Sequence, residues 1–203
     1  MSLNVADLKD ALYDAFTTMQ DDADLAKKLS AAIADYAESG DITTTDSGQI
    51  SAGTFAGSGS GKISVDSSVC ENIIVAATDS MKSMVSGGDI LFAAQIAAGI
   101  DAMMADGTVK TDVLGTATPP PPATPFPMGG KAEKKGGFVG VSATIQAAMA
   151  ACFPVMLGMT EGGDDFFAAQ LATAVTAYLK AGIITTNGTG ALLGSTGSGV
   201  GIL

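Results

Sequence analysis

The stretch DADLAKKLSAAIADYAESGDITT, residues 22–44, returns twice along the chain, as DILFAAQIAAGIDAMMADGTVKT at 89–111 and DDFFAAQLATAVTAYLKAGIITT at 164–186. The three copies align without a gap. Each opens on an aspartate (Asp22, Asp89, Asp164) and carries an aliphatic residue (Leu29, Ile96, Leu171), a second one four positions on (Ile33, Ile100, Val175) and a large side chain three further (Tyr36, Met103, Tyr178). Each closes on a glycine (Gly40, Gly107, Gly182), a β-branched residue (Ile42, Val109, Ile184) and a threonine (Thr44, Thr111, Thr186). The i, i+4, i+7 spacing puts the apolar side chains on one helical face. The opening aspartate can accept from the free N–H groups of a first turn. The glycine suits a left-handed position just past a helix, and the residues after it favour extended chain. Each copy therefore predicts a helix capped by Asp and Gly, about four turns long, leading into a strand. The nine aliphatic and large positions are its predicted core.

A further amphipathic run precedes each copy. Leu8, Leu12, Ala15, Phe16 and Met19 recur at helical spacing before the first; Ile73, Ile74, Ala77, Met81 and Met84 before the second; Met149, Phe153, Met156 and Leu157 before the third. The pairs Gly87-Gly88 and Gly162-Gly163 allow sharp reversals, and links this short favour antiparallel neighbours. Gly-rich stretches follow the repeats: SAGTFAGSGSGKISV, GGFVGV and GSTGSGVGIL. From Leu114 to Gly137 runs LGTATPPPPATPFPMGGKAEKKGG, whose PPPP favours a stiff polyproline II spacer. The expected fold class is mainly α with short β segments: three tandem helical-hairpin-plus-strand repeats with Gly-rich tails. The expected boundaries are 1–62 for the first unit, 63–113 for the second, 114–137 for an exposed Pro/Gly-rich arm, and 138–203 for the third unit with its tail.

Composition narrows the function classes. The 203 residues are 47% hydrophobic, 15% charged and 5% aromatic, with 26 glycines and no Trp, and can bury a sizeable core. The formal net charge is −11, and the ten basic residues are scattered apart from Lys131, Lys134 and Lys135. Phosphate backbones need clustered Lys and Arg, so no direct nucleic-acid partner is expected. The amino-terminal run has early acids and no basic flank, unlike a secretory signal. Two cysteines far apart, Cys70 and Cys152, read as buried thiols, and the sequence leaves open whether either forms a disulfide.

Apparent catalytic signals dissolve on inspection. GSGSGK at 57–62 lacks the first P-loop glycine, since Ala56 stands there, and Ile63 follows the lysine where a Mg²⁺-binding hydroxyl is needed. The chain has no His, which removes the commonest general base and metal ligand. The acidic pairs Asp21-Asp22 and Asp164-Asp165 coincide with the predicted helix starts. No catalytic residue, cofactor or metal site is expected. Residues 138–160 carry no charge and are long enough to cross a bilayer, which keeps a membrane-anchored or membrane-active protein as the alternative. The sister copies fill that place with amphipathic helices, which argues against a membrane partner.

LAKKLSAAIADYAESGDITTT with its tail GSGSGKI, echoed by QLATAVTAYLKAGIITTNGTG, resembles a segment recurring in structural proteins of tailed-bacteriophage virions. The resemblance covers the three units and not the Pro-rich insert. It implies a non-enzymatic head, neck, tail or baseplate component, assembled in the host cytoplasm into the virion. Its partners would be itself and other virion proteins.

Overall fold

In the computed structural model, which describes residues 3–203, each helical repeat lies second in an antiparallel pair of helices. The first unit has α1 (Val5–Thr18) and α2 (Asp22–Ser39), then strands β1 (Ile42–Ile50) and β2 (Gly53–Ser64). The second has α3 (Ser67–Met81) and α4 (Gly88–Asp106), then β3 (Thr108–Thr118), β4 (Phe126–Lys135) and the two-residue β5 (Phe138–Val139). The third has α5 (Ala143–Met156) and α6 (Gly163–Ala181), then β6 (Ile183–Gly188), a single 3₁₀ turn (Gly190–Leu192) and β7 (Ser195–Val200). Residues 1 and 2 of the first expected unit lie outside the described residues.

The helices close into a ring. Helix α1 packs on α2 and α6, α3 on α2 and α4, and α5 on α4 and α6. The repeat helices α2, α4 and α6 bury the broader faces, with Leu29, Ile33, Ile96, Ile100, Leu171 and Val175 at most 1% exposed. Removing an aliphatic side chain of this size from water is worth about 2 kcal/mol before entropy is subtracted.

Beneath the helices the strands run antiparallel in the order β4-β3-β2-β1-β7-β6, and β4 returns to β6 through Ala132↔Gly188 and Glu133↔Asn187. The result is a closed six-stranded barrel made of three hairpins, one from each unit. It corrects the expectation of a mainly α chain: the protein is 51% helix and 28% strand. The Gly-rich segments are barrel staves rather than tails. The register explains their composition. Ile42 faces Gly61, Thr44 faces Gly59 and Asp46 faces Gly57, while Ile184 faces Gly199 and Thr186 faces Gly197. A six-stranded barrel is too narrow for a side chain at every inward position. A Cβ on Gly59 would stand 2.5 Å from Thr44 Oγ1 and 3.0 Å from both Asp46 Oδ2 and Thr111 Oγ1.

The expected arm at 114–137 is likewise corrected. Leu114–Thr118 belongs to β3 and 126–135 is all of β4, paired from Thr108↔Lys135 to Ala117↔Phe126. Only 119–125, with its prolines, forms an exposed turn. The run of four prolines at 119–122, with no N–H groups to give, keeps this turn out of the ladder, whereas the single Pro127 is accommodated within β4 opposite Thr116. The uncharged stretch 138–160 is no single span either. It contains β5, a bend and the 14-residue α5 with Pro154 inside it, whereas a helix needs about 20 residues to cross a bilayer. Helix α4, with 19 residues, is the one described helix long and apolar enough to do so; it buries Ala93, Ile96, Ala97, Ile100 and Met103 against its neighbours.

Candidate functional site

The nine predicted core positions all come together inside the helical ring, each at most 6% exposed. Two end in polar contacts. Tyr36 Oη lies 2.8 Å from Thr176 Oγ1, and Tyr178 Oη donates to Asp101 Oδ1 at 2.7 Å. Burial first, and the neighbouring Asp101 carboxylate second, hold the Tyr178 hydroxyl well above the ordinary tyrosine range. Burial does the same, in direction, for Tyr36.

The capping residues are placed differently from expectation. Asp22 is the first residue of α2, and the cap is Asp21, whose carboxylate accepts from Asp24 N at 2.8 Å. Helices α4 and α6 are capped by left-handed Gly87 and Gly162 with no side-chain cap bond, which puts Asp89 and Asp164 in the first turn. There they act on the helix dipole rather than as hydrogen-bond caps. Gly40, Gly107 and Gly182 do end the helices, but at φ near −70° and ψ near 150° rather than left-handed. Their need for glycine is crowding. A Cβ on Gly40 would run into Ile202, on Gly107 into Val65 at 2.8 Å, and on Gly182 into the Phe138 ring. Each of these partners follows the last barrel strand of the unit before, counting the third as preceding the first.

Inside the barrel the three repeat threonines, Thr44, Thr111 and Thr186, meet a feature the repeat alignment did not single out. Asp46, 1% exposed, accepts from Thr44 Oγ1 at 2.6 Å and from Thr186 Oγ1 at 3.4 Å. Above this polar layer sit Ile42, Ile63, Val109 and Ile184, and below it a separate cluster of Ile50, Phe55, Val113, Ala117, Ala132 and Leu192. The sister positions of Asp46 are Val113 and Gly188, so the carboxylate is peculiar to the first unit. A lone carboxylate among hydroxyls holds neither a nucleophile–base pair nor a multidentate metal set. Among the described residues no group of three or more His, Cys, Asp and Glu side chains could hold a metal ion. The GSGSGK segment lies flat in β2, and Lys62 is drawn sideways to Ser39 O at 2.5 Å and Asp41 at 3.0 Å. Both thiols are free and buried, and burial pushes Cys70 up to about 11.

The opposite end of the molecule is different in character. Because α2, α4 and α6 each run toward the barrel, their starts and the three helix-to-helix turns gather at the far pole. Phe16, Phe92, Phe153, Met156 and Phe167 line an open cleft of about 120 Å³ there. Phe167 packs edge-on against Phe16 with centroids 5.2 Å apart and at a tilt against Phe153 at 5.7 Å. Around them Met19, Val85, Ile90 and Leu157 are exposed, Val85 and Leu157 by 103% and 88%. Single exposed apolar residues mean little, but here several stand at the pole that holds the aromatic cleft, with Leu157 directly beside Phe153 and Met156. Compared with protein-family models, curated proteins and solved structures, the chain matches none.

Proposed function

We propose that this chain is a non-enzymatic structural subunit of a tailed-phage virion, a neck, tail, baseplate or head-associated component. The observation that carries the proposal is the circular closure of three like units. Each unit seats its helix-ending glycine against the strand end of the unit before, and the first seats Gly40 against Ile202 of the third. Asp41 and Leu203 exchange two backbone hydrogen bonds, at 2.8 and 2.9 Å, across that last joint. The chain thus presents three related surfaces around one axis, a form suited to a symmetric assembly site. The resemblance of its repeat to virion proteins supplies the setting. The Gly-rich segments enter this reading as barrel staves and the Pro-rich 119–125 as the turn between two of them, not as the exposed arm expected from the sequence.

The test is light scattering on the chain in its native setting, with electron microscopy of the particle. A repeated density of this shape in the particle, or a discrete oligomer, supports the proposal. A chain that stays monomeric and free of partners there overturns it.

A further inference from the structure

Beyond placing the chain in an assembly, the structure assigns a partner chemistry to one of its ends. We infer that the helical pole docks a segment of a different protein that carries apolar side chains flanked by lysine or arginine. The inference rests on the assembly reading above and specifies the surface through which that assembly proceeds.

Three observations lead to it. The first is the apolar content. The aromatic cleft lined by Phe16, Phe153 and Phe167 continues into an open hollow of about 350 Å³ between Asp89, Phe153, Met156 and Leu157. The second is duplication. The turns Met84-Val85-Ser86-Gly87-Gly88-Asp89 and Met159-Thr160-Glu161-Gly162-Gly163-Asp164 share their glycines and their left-handed backbone, with φ of 79° at Gly87 and 77° at Gly162. In both turns the last residue of the preceding helix, a methionine, reaches the second glycine: Met81 Cε lies 3.5 Å from the Cβ that Gly88 lacks, and Met156 Cε 3.6 Å from that of Gly163. Methionine is the flexible filler of surfaces that mould to a partner. The glycines close the two helix reversals and Met156 packs against the core, while Met84, Val85, Leu157 and Met159 beside them stand exposed at the same pole.

The third observation chooses the occupant. The rim is acidic, with Asp21, Asp22, Asp89, Glu161, Asp164 and Asp165 at the turns and helix starts. The lysines that reach this end are already engaged, Lys9 on Asp165 at 2.6 Å, Lys28 on Asp24 at 2.8 Å, and Lys82 on Asp79 at 2.7 Å and Asp22 at 3.6 Å, so Asp21, Asp89, Glu161 and Asp164 set the charge of the rim. A second copy docking pole to pole would set acidic rim against acidic rim, and an anionic membrane would meet the same repulsion. A basic-flanked apolar segment answers both the cleft and the rim.

The test uses the full chain and a synthetic amphipathic Leu/Lys helix peptide as probe, followed by fluorescence anisotropy. A Leu/Glu peptide of the same pattern and zwitterionic and anionic phospholipid vesicles serve as competitors. The Leu/Lys peptide is expected to bind, and the double variant V85S/L157S to weaken it by about tenfold. Both side chains are fully or nearly fully exposed, so the variant keeps its fold. Leu193→Ser, beside the barrel's lower end and 72% exposed before substitution, is expected to bind as the parent does. Equal binding by V85S/L157S, or equal binding of the Leu/Glu peptide, overturns the inference. Vesicle binding lost in the double variant would make the occupant a lipid surface, and a self-association lost in it would make the occupant a second copy; either overturns the proposal. If V85S/L157S enters the native particle as the parent does, the pole inference fails and the assembly reading stands. If the chain enters no particle while the variant still loses the peptide, the assembly reading fails alone.

Discussion

At position 30 the first unit carries a serine where its sister copies carry Ala97 and Ala172. Its hydroxyl is fully buried and faces the Cys70 thiol, a weak acceptor, without making a hydrogen bond of ordinary geometry. Desolvating such a group without compensation costs about 1–3 kcal/mol. Ser30→Ala is therefore expected to raise stability by about 1 kcal/mol, read as a higher urea midpoint at unchanged slope; a lower midpoint would show that the hydroxyl is bonded to the Cys70 thiol. Tyr178 makes the opposite case. Burial and Asp101 keep its hydroxyl protonated in the folded state above the ordinary value of 10.0, so above that pH the unfolded chain releases a proton that the folded one retains. With fewer protons on the unfolded state, stability declines as pH rises. The tyrosine's contribution is fully present below pH 10 and is lost progressively above it. Tyr178→Phe is expected to be less stable than the parent by about 1 kcal/mol at pH 7, through the lost bond to Asp101. It should also show a shallower decline above pH 10, which denaturant titrations at pH 8 and pH 10.5 would check.

At the scale of elements, the hairpin of β3 and β4 separates two ideas of the chain. If 114–137 were an arm, its removal would leave the body intact. In the barrel it supplies all of β4 and the last five residues of β3, and its loss parts β2 from β6 along most of their connection. Deleting 114–137 is expected to abolish cooperative unfolding, whereas replacing only 119–125 by Asn-Gly, which favours a tight hairpin turn, should leave the melting temperature within a few degrees (about 1 kcal/mol). Circular dichroism melts of the two variants decide it. The same hairpin shows why the helices were legible and the barrel was not. Leu29, Ile33 and Tyr36 advertise a helix because apolar residues recur at its period. The barrel's inward positions carry Thr44, Asp46, Gly57, Gly59 and Gly197, which have no hydrophobic alternation to detect. A period of two was nonetheless present in the glycines themselves, at 57, 59 and 61 in β2 and at 197 and 199 in β7, the mark of one strand face with no room for side chains. Gly40, Gly107 and Gly182 were legible as helix ends but not as close contacts, because crowding comes from another unit. The polar pair Asp46–Thr186 spans 140 residues and becomes visible only once the barrel has closed. The aromatic pole was hidden similarly: Phe16, Phe92, Phe153 and Phe167 belong to four different helices.

For the whole molecule, circular closure predicts that no joint between units is privileged. The joint between the third unit and the first is built like the others: Gly40 against Ile202 corresponds to Gly107 against Val65 and to Gly182 against Phe138. It carries its own backbone pairing between Asp41 and Leu203. Leu3, 6% exposed, approaches the same glycine, so the two ends of the described chain lie close together. Linking Leu203 to Leu3 by a short Gly/Ser segment and opening the chain between Val65 and Asp66, after β2, should therefore preserve every pairing of the ring and barrel. Val65 keeps its place against Gly107 by its bond to the end of β2, by packing and by its N–H, which donates to Glu38 Oε1 at 2.8 Å. Asp66 loses little as the new start, since its carboxylate still caps α3 through Ser68 N at 3.0 Å. The permutant is expected to show the parent's far-ultraviolet spectrum and one cooperative transition, displaced downward by about 1–2 kcal/mol through the freed ends. Two separated transitions would instead mean that the first unit is held to the ring by chain connectivity rather than by its contacts. The quasi-threefold closure on which the assembly role depends would then be a feature of shape without a matching feature of stability.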